Sequence, residues 1–461
     1  KASEIETYID YLNESKSPWH CIDQSVRMLE SQGFVRIRES DPKWEIKPAE
    51  KYFFTRDGSS LFAFIAPGLD LLELPALSVL AAHTDSPTLR VKPKTKQVDS
   101  KFLSIAIEPY GGGIWETFFD RTLCLAGRVT FQQDGRIKSK LIRIDNGFYI
   151  PNLAIHHRHS RSSPEKLDLS KNIVVIASVP GLSKKDDKKE KDKKKKSDLP
   201  HDEQIMEVIC HAAECLPTEL LDFDLEFSDG QPCCTVGIDH SMLSGGRQDN
   251  LLGCYGCVRA LLDSSSQISR DIRMITLFDH EEIGSRSRVG GWTPTLYRTV
   301  SRIVNSLYSD IMTTPPDIDC IIARGMALSV DQAHSVHPGY SDRVCSHTVE
   351  HMNEGVVLKA SARQSYSTSA GASAVVRMIG KKSGVPIQSS SKKNTVLGGG
   401  TLGPMVASTT CIRTSDIGVA MLAMHSAREL VGSKDVEYLV KFCKEFLISL
   451  HDFIDDMIKL E

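Results

Sequence analysis

Five short motifs in this chain carry side chains that bind metal ions or move protons. They are His83 in AAHTDSP, Asp249 in GGRQDNL, the pair Glu281 and Glu282 in DHEEIGS, Asp331 in LSVDQAH and His425 in AMHS. Neutral imidazoles and carboxylates suit a hard or borderline cation, and two neighbouring ions need about five such groups with one carboxylate shared. The set meets that need and leaves Glu281 over, beside a ligand. A metal lowers the pKa of bound water toward ~7, and a carboxylate beside it can then take the proton.

Each motif alone also has a plainer reading. His83 and Asp85 stand two apart at the end of a strand-like run, so both can project to one side. A carboxylate beside a ligating imidazole fixes its tautomer and raises its basicity, which gives Asp85 a role. A histidine at a strand end is also often just a satisfied polar residue. Asp249 precedes an apolar helical run, where it reads as an N-cap or as a carboxylate bridging two ions. The strand RMITLF runs into Asp279, His280, Glu281 and Glu282, four ionisable groups that are costly at a buried strand end unless something pairs with them. An exposed acidic turn is the alternative. Asp331 ends another strand-like run, with His334 and His337 close behind. His425 sits in the apolar, helix-like run VAMLAMHSAREL, where a lone histidine is more often core than ligand. The five motifs together carry the metal reading; none does so alone.

Such groups need elements to hold them. Residues 2–32 show apolar residues at helical spacing, interrupted at Ser17-Pro18. KYFFT, SLFAFIA and ALSVLAA read as strands bounded by Asp57-Gly58 and Pro67-Gly68 turns. Residues 250–264 read as a helix, DIRMITLFD and CIIARGMALSVD as strands, and VEYLVKFCKEFLISLHDFIDDMIKL as an amphipathic helix. Strands alternating with helices predict an α/β fold, a central mixed sheet flanked by helices with ligands at the carboxyl ends of its strands. From about Val91 to Asp239 the pattern changes to short strands such as FLSIAIEPY, LCLAGRVTF, LIRIDNGFYI and NIVVIASV. The expected organisation is a catalytic domain of residues 1–92 and 240–461 with a β-rich domain, residues 93–239, inserted into it. Residues 184–196 hold nine lysines against four acids, so residues 184–198 are expected to form a solvated, disordered loop rather than a recognition tag.

Composition narrows the partners. The chain has 461 residues, 41% hydrophobic and 25% charged, with net charge −3. That balance is globular and gives no sign of a nucleic-acid or membrane partner. No run approaches the ~18 apolar residues of a membrane span. The opening KASEIETYIDYL is amphipathic rather than signal-like, although a removed targeting segment stays open because the chain does not begin with Met. The 12 cysteines show no disulfide framework, which favours a reducing compartment, the cytoplasm. Cys254 and Cys257 form a CxxC inside a helical run, where packing is the simpler reading than redox or zinc chemistry.

The order HTDSP, QDNL, DHEEIGS, SVDxAHxxHP, GGGTLGP and AMHS resembles the aspartyl aminopeptidase family of cocatalytic zinc metallopeptidases. The resemblance starts at LNESKSPWH, passes through YGGGIWETFFDR and NLAIHH, and ends in the last helix. It implies one zinc on His83 and Asp331, a second on Glu282 and His425, and Asp249 bridging, with Mn2+ or Co2+ able to substitute. It implies Glu281 as general base, with Asp85 beside His83. It implies release of N-terminal Asp or Glu from peptides, Lys359 of VLKASARQSY facing the acidic side chain. Tyr366, His334, Glu281 and Asp331 also match substrate-contacting positions, and His156 of NLAIHH matches a histidine that reaches the neighbouring subunit's active site. It further implies a tetrahedral homododecamer of dimers, assembled through the inserted domain and admitting peptides. Gln332, Gly339 and the lysine-rich stretch depart from the family pattern without removing a ligand. The competing expectations are a related dinuclear hydrolase (neutral aminopeptidase, dipeptidase or N-deacylase) and an assembly protein that has lost activity.

Overall fold

The computed structural model describes residues 2–96, 102–160, 165–179, 201–309, 316–396 and 398–459. The lysine-rich stretch, residues 184–198, lies outside them. The described chain forms two compact units, one of residues 1–86, 233–424 and 429–461, the other of residues 87–232 and 425–428.

The first unit is built on a 13-stranded mixed sheet. At its centre, strands Ile272–Phe278, Leu77–His83, Gly325–Val330 and Arg413–Leu422 lie side by side and parallel. Antiparallel strands extend it on both sides, Ser60–Ile65 beyond Ile272–Phe278 and Val356–Lys359 and Glu429–Gly432 against Arg413–Leu422. Alternation along Leu77–His83 explains why the sheet is covered on both faces. Leu80 and Ala82 enter one apolar cluster, with helices Gln248–Ser264 and Ser433–Ser449. Leu77, Val79 and Ala81 enter another, with helices Thr295–Tyr308 and Gly403–Thr410. A parallel strand buried on both faces is apolar throughout, so its sequence shows little alternation.

Three local readings change. In CIIARGMALSVD, Ile318–Ala323 is helical and the strand starts at Gly325. Asp317 caps that helix by accepting the Asp319 amide, a start signal the apolar run hides. VAMLAMHSAREL is strand rather than helix: Arg413–Leu422 continues through a turn into Glu429–Gly432. Eight consecutive residues, Thr414 to Met421, are buried, and such a run carries no period to separate strand from helix. The C-terminal segment is two helices, Ser433–Ser449 and His451–Ile458.

The second unit is a closed antiparallel barrel of six strands. Strand Leu220–Asp229 pairs with Thr122–Gln133 and with Thr88–Lys96, which closes the ring. Leu89, Leu123, Leu125, Val175 and Phe227 fill its interior, and helix Glu203–Ala213 adds Ile205, Met206 and Ile209. Gly127 is required there: at φ 150 a Cβ would stand 2.0 Å from the Asp224 carbonyl oxygen.

Candidate metal centre

Parallel strands deliver their carboxyl ends to one edge of a sheet. Here that edge receives His83 as the last residue of its strand and Asp331 directly after Val330. The Glu281–Ile283 turn begins three residues after Phe278. Phe278 and His83 are register partners, so the acidic turn and the imidazole leave the sheet together. Asp249 comes from the first turn of Gln248–Ser264. Asp249 and Asn250 both have non-helical φ/ψ, so regular helix begins only beyond Asn250 and Asp249 stands one residue too early to be its N-cap.

His83 is the hub. It is 1% exposed, and its Nε2 stands 3.4 Å from Asp249 Oδ1, 3.4 Å from Asp331 Oδ1 and 4.0 Å from Glu281 Oε2. Ligand atoms of His83, Asp249 and Asp331 lie within 4.8 Å of one another, as do those of His83, Glu281 and Glu282. The Nδ1 of His83 is 3.0 Å from the Asp85 carbonyl oxygen, which can only accept, so Nδ1 carries the proton. Nε2 then turns its lone pair toward carboxylate oxygens. A lone pair facing anions is repulsive unless a cation lies between them. In the absence of metal a proton serves: burial disfavours the imidazolium, but Asp249, Asp331 and Asp85 outweigh burial and raise its pKa well above the ordinary value. The donor set is nitrogen and carboxylate oxygen with a fixed tautomer, which fits zinc.

Asp85 does something the sequence did not predict. Its carboxylate lies 3.5 Å from the His83 ring, farther than its own carbonyl, and accepts the amides of Glu281 and Glu282 at 3.1 Å each. It therefore ties the acidic turn to the His83 strand end, while the backbone sets the tautomer. Glu281 is placed for proton transfer. Its side chain is 14% exposed, and its carboxyl is pushed up to about 8, first by burial and then by Asp331, Asp85 and Asp249, against the pull of His83. A carboxyl with a pKa near neutrality is a serviceable base.

Several supporting groups had no sequence signal. Glu429 accepts the Asp249 amide at 3.0 Å, and Ser86 Oγ donates to the Asp249 carbonyl at 2.6 Å. Gln332, the atypical residue after Asp331, donates to Asn250 Oδ1, and Asn250 donates to the Val330 carbonyl. Cys254 donates to the His83 carbonyl at 2.9 Å, and Cys254 and Cys257 are both buried in the apolar core, as packing requires.

The remaining site residues are placed as follows. Lys359 is buried and donates to the carbonyls of Asp331 and Gln332 at 3.1 and 3.0 Å, with Asp331 Oδ2 at 3.9 Å. Its Nζ lies 5.1 Å from the centroid of the buried Tyr366 ring. His334 is exposed on the short strand after Asp331. His425 and His156 belong to the second unit. His156 is exposed in the turn Ile155–His157. His425 is half-buried, with Nδ1 2.8 Å from the Gly112 carbonyl, so its Nε2 is also the nitrogen left for a ligand.

These charges predict how the metal-free protein responds to pH. Folded Glu281 keeps a proton between about 4.5 and about 8 that the unfolded chain has already released. His83 likewise holds its proton to higher pH when folded. A folded state that binds more protons than the unfolded state loses stability as pH rises. The melting temperature of metal-free protein should therefore fall from pH 5 to pH 8. Zinc replaces the proton, so the gap between zinc-loaded and metal-free protein should widen over that range. Scanning calorimetry at several pH values measures it; a pH-independent gap would contradict this account.

Comparison with known proteins agrees with that chemistry. A family model described as "Aminopeptidase I zinc metalloprotease (M18)" matches residues 11–447. A Ricinus communis protein named "Probable aspartyl aminopeptidase" is 32% identical over 465 residues, 95% of this chain and 94% of its own. A "Probable M18 family aminopeptidase 2" from Pseudomonas savastanoi pv. phaseolicola is 34% identical over 443 residues, 96% of this chain and 97% of its own. Among solved structures, a chain of the Ape4 and Nbr1 complex superposes with a TM-score of 0.91 at 31% identity, covering 98% of this chain and 87% of that one. The S. cerevisiae mApe1 dodecamer gives 0.84 at 25% identity, covering 98% of both. Nearly the whole length matches at each level, and the chain belongs to the aminopeptidase I zinc metalloprotease (M18) family.

Proposed function

We propose that this M18 aminopeptidase is a two-zinc enzyme that releases N-terminal Asp or Glu from peptides. The observation that carries the metal reading is His83 Nε2 held within 3.4 Å of both Asp249 and Asp331, with the proton on the opposite nitrogen. In this reading His83 and Asp331 hold one ion, Glu282 and His425 the other, and Asp249 both. Bound zinc supplies a Lewis acid and lowers the pKa of water. Glu281 takes the proton of the attacking water and returns it to the leaving amine. Asp85 keeps Glu281 and Glu282 at the strand end. Lys359 supplies positive charge for an acidic side chain, with Tyr366 and His334 alongside.

The acidic preference is supported by the name of the Ricinus communis relative and by the buried lysine. Assembly into a dodecamer is part of the proposal, as the S. cerevisiae mApe1 dodecamer shares the fold. In the barrel unit, Leu153 and Ile155, just ahead of His156, are 47% and 51% exposed, an apolar surface suited to a neighbouring subunit. No helix among the described residues is long and apolar enough to cross a membrane. All 12 cysteines are free, which suits the cytoplasm.

Metal content and turnover of Asp-, Glu- and Leu-anilides test the reading. Zinc-dependent hydrolysis is expected, with both acidic substrates well ahead of Leu. Two ions per chain are expected when saturated, with Mn2+ or Co2+ restoring activity to stripped enzyme. Faster turnover of Leu would favour a neutral aminopeptidase, and indifference to metal would reject the metal reading.

A further inference from the structure

We propose that Lys392 is a second cation of the side-chain pocket and extends that pocket from aspartate to glutamate, a refinement that rests on the acidic specificity proposed above. The ring of Tyr366 meets two ammonium groups, Lys359 Nζ at 5.1 Å and Lys392 Nζ at 4.5 Å from its centroid. The two lysines are held differently. Lys359 is locked onto the carbonyls of Asp331 and Gln332, with a carboxylate oxygen of Asp331 at 3.9 Å. Lys392 is half-buried and donates to Ser365 Oγ at 2.9 Å and to the Gly399 carbonyl at 2.5 Å. Neither partner belongs to the metal centre.

Charge separates them further. Lys359 has a carboxylate oxygen of Asp331 within 3.9 Å. Lys392 has no carboxylate partner among the described residues. Burial, then Lys359 and Arg363, hold its ammonium below the usual lysine range. A site where cations repel one another beside a tyrosine is complementary to an anion. The site is also rigid. Asp416 accepts the Ser367 amide at 2.6 Å and the Thr401 hydroxyl, so it pins both the Tyr366 segment and the GGGTLGP segment that Lys392 bridges. Starting from Asp331, the contacts run through Lys359 to Tyr366 and then to Lys392. A glutamate side chain is one methylene longer than aspartate. The shorter carboxylate stops at Lys359, and the longer one gains Lys392.

The bland alternative is that Lys392 only clips two loops together. Lys392→Met removes charge and clip, whereas Lys392→Gln keeps hydrogen-bond donors and removes the charge, so it reads the charge even where Met damages folding. The measurement is kcat/KM for Glu-, Asp- and Leu-anilides, with Leu reporting general damage. The Glu-to-Asp ratio should fall about 10–100-fold in both variants, the range for one charge-assisted hydrogen bond, and Lys392→Arg should restore much of it. If wild type prefers acidic residues and the ratio does not change in the Gln variant, Lys392 is a clip and the proposal is overturned. If wild type shows no preference for Asp or Glu over Leu, the acidic-specificity reading falls and this refinement with it.

Discussion

Glu281→Gln should lower kcat by roughly 10²–10⁴-fold and leave zinc content unchanged. The amide has nearly the carboxylate's shape, so the hydrogen bonds from the Glu281 and Glu282 amides to Asp85 survive the change. What disappears is the oxygen that accepts a proton. In the metal-free chain that carboxyl is held up to about 8 by burial and by three neighbouring aspartates. Bound cations would lower it again, and the balance leaves a base that is ionised yet basic enough to work near neutral pH. Zinc analysis beside single-turnover rates distinguishes the possibilities. Loss of zinc in step with loss of rate would make Glu281 a ligand and require a different base.

Lys359→Met should depress kcat/KM for Asp and Glu substrates about a hundredfold or more relative to Leu, because an unpaired, desolvated carboxylate costs several kcal/mol and 1.4 kcal/mol is tenfold. The family resemblance implies a lysine that faces the substrate's side chain and leaves metal binding untouched. The structure changes that expectation. Two of the Nζ hydrogens go to the carbonyls of Asp331 and Gln332, and Asp331 Oδ2 lies 3.9 Å away. Methionine leaves those carbonyls buried without a donor. Weaker zinc binding should therefore accompany the loss of acid preference. Kinetics on the three anilides, with a zinc titration of each protein, measure both effects. An unchanged Asp-to-Leu ratio would exclude Lys359 as selector and leave Lys392 or His156 of a neighbouring subunit.

Much of the centre was legible because its chemistry is concentrated in short segments at strand ends. His83, Glu281, Glu282 and Asp331 each follow an apolar run that can only be buried, and a buried run ending in charge announces a site. Asp249 was ambiguous in sequence because an N-cap and a bridging carboxylate occupy the same place before a helix; regular helix begins only beyond Asn250, which moves the cap position off Asp249. Glu429 and Ser86 were invisible because their roles are hydrogen bonds to the backbone of Asp249, contacts that join residues 180 and 163 positions apart. Asp85 was read as the carboxylate beside His83 and stands 3.5 Å from that ring; its bonds to the Glu281 and Glu282 amides had no sequence signal. In the fold, the end of strand Arg413–Leu422, from Val419 on, passed for helix because burial on both faces erases periodicity. Tyr366 gave no clue to its second cation, since Lys392 reaches it from a separate segment.

The order of strands in the first unit has a consequence for synthesis on the ribosome. Leu77–His83 is made early, but both its neighbours, Ile272–Phe278 and Gly325–Val330, come from far downstream. Between them lie the barrel strands, which pair with one another within residues 88–229. Contacts of long sequence separation form slowly, and domains complete themselves as they emerge. The barrel can thus close while the part of the first unit made before it waits as an unpaired edge. A chain arrested near residue 270, with strand Leu220–Asp229 clear of the ribosome and Ile272–Phe278 not yet made, would hold a closed barrel and an apolar strand with no partner. Such nascent chains are the ones a chaperone would be expected to meet, and pulse proteolysis of stalled chains would find the barrel resistant and residues 1–86 cleaved.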